Sequence, residues 1–128
     1  MPAALVIEHE PELATFAVAA FKWFGLDAFS IERVSDAIEI LEGSNDIAVV
    51  MINDTEEGKE LQLIKVVARR WPTIKLALLS AHLDNLRDLP PFVFIAKPTT
   101  AELIFAIIER VALAARPDLN SPNGKSFN

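Results

Sequence analysis

The chain has 128 residues, 52% of them apolar, no cysteine, and a formal charge of −6 from 12 basic and 18 acidic side chains. That length suits one compact domain with its own core, and the missing cysteines exclude a disulfide framework or a thiolate metal site. The acidic balance argues against nucleic acid or an anionic membrane as partner, and no stretch reaches the roughly 20 uninterrupted apolar residues that span a bilayer.

The opening, Met1 to Glu8, lacks a basic leader and meets a carboxylate too early for a signal peptide, so a cytoplasmic protein is expected. Residues 4–7 are the first of five short apolar runs, the others being 28–31, 47–52, 74–79 and 92–95. Such runs without alternation suit strands covered on both faces, as in parallel sheets. Between the first two, residues 10–24 place Leu13, Phe16, Ala17, Ala20, Phe21 and Phe24 on one helical stripe. Trp23 lies off that stripe, and Gly25 is a natural C′ residue. A second helix is expected over 35–41, with Ser35 as candidate N-cap and Gly43 beyond its end. A third, over 59–71, carries Leu63, Val66 and Val67, ends in a solvated Arg69-Arg70 pair and stops before Pro72. A short fourth over 82–89 is cut by Pro90-Pro91, and a fifth over 100–115 carries Leu103, Ile104, Ile107, Ile108 and Val111.

Strand then helix, repeated, implies right-handed crossovers and a parallel sheet with helices on both faces. One domain is expected over residues 1–115; residues 116–128, rich in Pro, Asn, Ser and Gly, read as a flexible tail that ends the chain and tethers nothing. In open α/β sheets the functional crevice lies outside the carboxyl ends of the strands. That rule singles out Glu8-His9, Asn53-Asp54, Ser80-Ala81 and Lys97-Pro98.

At those positions the chain resembles a bacterial response-regulator receiver (CheY-like) domain. Leu5-Val6-Ile7-Glu8-His9-Glu10-Pro11 is similar to its first strand with the adjacent acidic pair, and residues 46–53 to its third strand. Arg69-Arg70-Trp71-Pro72 and the run ending in Ser80 are similar to its third helix and fourth strand. Phe94-Ile95-Ala96-Lys97-Pro98 is similar to its fifth strand, with aromatic, lysine and proline. The resemblance spans roughly residues 3–115 and implies a flavodoxin-like three-layer (βα)5 sandwich with a five-stranded parallel sheet of order 2-1-3-4-5. It also implies a site where carboxylates hold Mg²⁺, where lysine and a hydroxyl neutralise a phosphoryl group, and where Ser80 and Phe94 belong to the switch.

The departures matter as much. Counted without gaps from Glu8, Asn53 stands where the family has its phosphoacceptor aspartate, and an amide yields no stable acyl phosphate. His9 stands in the second acidic place, leaving Glu8 as the remaining carboxylate of a degenerate acidic pocket, so no metal or other cofactor is expected beyond weak Mg²⁺ binding through Glu8. Asp54 is the rescue candidate for phosphorylation, although its side chain should leave the strand opposite Asn53. Plainer roles stand beside these: a Glu8–Lys97 ion pair across the pocket, a rim histidine at His9, a capping Ser80, a packing Phe94, and a solvated acidic rim of Asp54, Glu56, Glu57 and Glu60.

The reading is a stand-alone, phosphorylation-independent pseudo-receiver with no catalytic residues, acting through protein–protein contacts. A histidine kinase or another signalling protein is the expected partner, and a homodimer is expected through residues 82–112. The alternative is a phosphoacceptor response regulator of a two-component phosphorelay using Asp54. A nucleotide or flavin site is disfavoured because Glu8-His9-Glu10-Pro11 is acidic where a phosphate cradle needs bare amides.

Overall fold

The computed structural model describes residues 2–55, 58–81 and 93–116, apart from the side chains of residues 93–95. Five strands, β1 (Ala3–Ile7), β2 (Asp27–Ile31), β3 (Ile47–Asn53), β4 (Lys75–Ser80) and β5 (Val93–Ala96), form one parallel sheet of order β2-β1-β3-β4-β5. Four α-helices are described: α1 (Pro11–Trp23), α2 (Ala37–Glu42), α3 (Lys59–Arg70) and α4 (Ala101–Ala115). The α/β class and the parallel sheet are as the sequence led us to expect. The helix expected between β4 and β5, and the tail expected from 116 onward, lie outside the described residues except for Arg116, so the described chain does not carry the full (βα)5 count.

Side chains alternate across the sheet and build two apolar layers. Val6, Val49, Met51 and Leu79 pack with Ala17, Phe21, Ile104 and Ile108 on the face covered by α1 and α4. Leu5, Ile7, Val50, Ile52 and Leu78 pack with Leu41, Ile64 and Val67 on the face covered by α2 and α3. Burial on both faces is why the strands read as continuous apolar runs.

Helix ends follow their local chemistry. At the end of α1, Gly25 takes φ 93°; its N–H donates to Lys22 O and the Leu26 N–H to Phe21 O, a Schellman pair that turns the chain into β2. Trp23 is 78% exposed, as its place off the stripe implies. Thr100 caps α4, its Oγ1 accepting from the Leu103 N–H at 3.2 Å. Ser35 does not cap: it lies inside a 3-10 turn, Val34–Asp36, and α2 begins after it with Asp36 in the N-cap place. The extra turn consumes the residues that the periodicity assigned to the helix.

Candidate functional site

Register places the site. β1 and β3 run in step from Ala4↔Val49 to Ile7↔Ile52, after an irregularity at their start. The next residues, Glu8 and Asn53, therefore emerge side by side at the carboxyl edge. Both are buried, and the Asn53 carboxamide Nδ2 donates to Glu8 Oε1 and Oε2, each at 2.9 Å. β3 and β4 pair Asn53 with Leu79, so Asp54 and Ser80 stand together one step on, with the opposite parity. Asp54 is 1% exposed and Ser80 fully buried, and Ser80 Oγ donates to Asp54 Oδ2 at 2.7 Å.

Lys97 follows β5, its backbone N–H donating to Ser80 O. Its long side chain carries the ammonium back to β3, donating to Asn53 Oδ1 at 2.6 Å and to the Asp54 carbonyl at 2.9 Å. The Lys97-Pro98 peptide bond is cis. One carboxamide thus separates an anion from a cation, each satisfied by the half of the amide with complementary polarity.

Several sequence expectations are corrected here. Glu8 and Lys97 form no direct ion pair among the described residues; Asn53 stands between them. Ser80 donates to a buried carboxylate, and the segment it was expected to cap lies outside the described residues. Asp54 and Glu60 are not a solvated rim: both are buried. Thr55 Oγ1 donates to both Glu60 oxygens, at 3.0 and 3.1 Å, and the Thr55 N–H to Glu60 Oε1 at 3.3 Å, tying Thr55 to the first turn of α3. Glu56 and Glu57, and the side chain of Phe94, lie outside the described residues; the Phe94 backbone pairs with Leu78.

Other features follow the sequence. Asp54 leaves the strand away from Asn53, and His9 sits on the rim with Nδ1 3.6 Å from Glu8 Oε2. Sequence reasoning did not single out Thr55 or Thr99. Thr99 lines the same cavity, of about 490 Å³, as His9, Glu10, Asn53, Asp54 and Lys97. Its position two residues beyond Lys97 was the available signal.

The donor set fits Mg²⁺ poorly. Both Glu8 oxygens accept from an amide, the amide oxygen faces an ammonium, and the remaining nearby groups include an imidazole. Ligand atoms of Glu8, His9 and Glu10 do lie within 4.8 Å of one another, but the backbone N–H of Glu10 also donates to Glu8 Oε2, at 3.1 Å.

No family model matches the chain, and no curated protein matches it. Solved structures do. An uncharacterised protein from Neptuniibacter caesariensis is 18% identical with TM-score 0.74, covering 98% of this chain and 97% of its own. A response regulator from Thermotoga maritima is 19% identical with TM-score 0.72, covering 88% and 98%. An orphan response regulator of H. pylori is 19% identical with TM-score 0.69, covering 90% and 97%. The chain has the receiver fold.

Proposed function

We propose that the chain is a receiver-like signalling module that works through protein–protein contacts and takes no phosphoryl group at Asn53. The observation that carries this reading is the Glu8–Asn53–Lys97 chain of hydrogen bonds. A carboxamide in that place is a poor nucleophile, and its donors and acceptor are already committed to the two charges that would otherwise serve metal and phosphate. What remains for such a module is recognition by its surface, with a kinase or another signalling protein as partner.

The exposed apolar side chains of α4, Leu103 at 57% and Phe105 at 37%, support a homodimer whose interface includes this helix. No described helix is long and apolar enough to cross a membrane.

The competing reading makes Asp54 the phosphoacceptor. It has a carboxylate at the strand end, but that group is 1% exposed, tied to Ser80, and set on the opposite side of β3 from Glu8. Incubation with acetyl phosphate and Mg²⁺ followed by intact-mass measurement separates the two. An unchanged mass is the expected result; a gain of one phosphoryl group mapped to Asp54 establishes the competitor.

A further inference from the structure

The most exposed large apolar side chain among the described residues is Trp23, 78% exposed at the end of α1 and without a ring partner there. Seven residues earlier, on the same helical row, stands Phe16. Its ring and that of Phe24 meet Phe105 of α4, which keeps 37% exposure. The seam between α1 and α4 is therefore an aromatic strip with one side open to solvent. Carboxylates border it. Glu12 precedes Phe16 by one turn, and Glu102 and Glu109 stand three before and four after Phe105 on its stripe of α4. All three are exposed, and none forms an ion pair among the described residues. The basic side chains of these helices do not offset them. Lys22 lines a separate groove with Phe29 of β2, Arg110 stands on the row of Leu103, and Arg116 donates to Gly25 O.

We propose that this seam docks a basic amphipathic segment of a partner protein. Its apolar residues cover Trp23 and Phe105, its arginines or lysines meet Glu12, Glu102 and Glu109, and a guanidinium stacks on the Trp23 indole. Charge decides the occupant. A second copy would set the same three carboxylates against themselves across a two-fold contact. The formal charge of −6 turns away anionic lipid and nucleic acid. A small cation does not span the strip, because eleven residues separate Glu12 from Trp23, about 16 Å of helix. A homodimer centred on Leu103, on the other side of Ile104, leaves this seam free. The inference rests on the module working through contacts and not on the silence of Asn53, which is read by mass and not by binding.

The test uses the full chain carrying Trp71→Phe, which leaves Trp23 as the one indole. It is titrated with a helix-forming peptide amide, two repeats of Arg-Leu-Ala-Ala-Arg-Leu-Ala. A saturable blue shift of the Trp23 emission at micromolar peptide is expected, weakened about tenfold in 0.5 M KCl. Calorimetric titration of the unaltered chain should give the same affinity. Binding about tenfold weaker is expected in Trp23→Ala and in the double variant Glu102→Lys/Glu109→Lys. Glu32→Lys/Glu39→Lys makes an equal charge change at exposed positions away from the seam, and should stay within about twofold. The same peptide with glutamate for arginine, or with alanine for leucine, should bind about tenfold more weakly or worse. No saturable shift, an equal loss from the two double variants, or equal binding by either control peptide overturns the proposal. So does a blue shift that grows with protein concentration in the absence of peptide, which assigns the seam to a second copy.

Discussion

At the scale of single residues, the site is governed by one amide. Asn53 is the only group in the Glu8–Asn53–Lys97 chain that can donate at one end and accept at the other. Asn53→Asp turns both donors to Glu8 into an acceptor and brings two carboxylates together at hydrogen-bonding distance. Lys97 offsets part of that, so a loss of about 1–3 kcal/mol is expected in chemical denaturation. The same variant supplies the oxygen donors that Mg²⁺ prefers. Its unfolding midpoint should therefore rise with MgCl₂ and its mass should increase with acetyl phosphate, while the unaltered chain shows neither. A variant that stays silent in both assays would show that more than the amide blocks the chemistry. Ser80→Ala tests the other couple. It leaves Asp54 Oδ2 buried without its donor, and a loss of about 1–3 kcal/mol is expected. If Ser80→Ala unfolds like the unaltered chain, the hydroxyl is not what holds that carboxylate.

At the scale of elements, caps separate true from apparent boundaries. Thr100→Ala removes the side-chain acceptor of the Leu103 N–H and should cost about 1 kcal/mol. Ser35→Ala should stay within about 0.5 kcal/mol, because Ser35 lies in the 3-10 turn and caps nothing. Equal losses from the two would contradict that assignment. These cases also show what the sequence made legible. Strand positions, the order of strand and helix, and the Gly25 turn follow from short-range patterns of polarity and backbone freedom, and the strands came out within a residue of their expected ends. The carboxyl-edge rule found Glu8, Asn53, Asp54, Ser80 and Lys97 because each is the last residue of a strand or the one after it. What was not legible depends on distances across strands. Nothing local says that Asn53 lies between Glu8 and Lys97, that Asp54 turns to Ser80, or that Glu60 reaches back to Thr55. Burial of Asp54 and Glu60 was misjudged for that reason: acidic residues near a loop read as solvated until the partner is known.

At the scale of the whole molecule, the question is which surface a module of the proposed kind would present. The two core layers consume nearly all large apolar side chains of the sheet, so the exceptions carry weight. On α4, Ile104, Ile108 and Val111 are buried against the sheet, whereas Leu103 points out at 57% exposure. Phe105 is partly covered by Phe16 of α1 and by Phe24 at its C-cap, with ring centroids 6.4 and 5.0 Å away, and keeps 37% exposure. A lone exposed leucine is ordinary. Leu103 and Phe105 flank the buried Ile104 from opposite sides, about 200° apart around the helix, so a meeting surface on α4 would centre on Leu103, the more exposed of the two. Stable association needs about 800 Å² from each copy, so Leu103 would be part of the contact and not its whole. Leu103→Glu discriminates cleanly, because a change at so exposed a position should alter monomer stability by no more than about 0.5 kcal/mol. In sedimentation equilibrium the unaltered chain should show a dimer that this variant weakens by tenfold or more, since a buried, unpaired carboxylate at each copy of a symmetric contact is counted twice. A monomeric unaltered chain at high micromolar concentration, or a dimer that Leu103→Glu leaves intact, would remove the Leu103 side of α4 as the meeting surface.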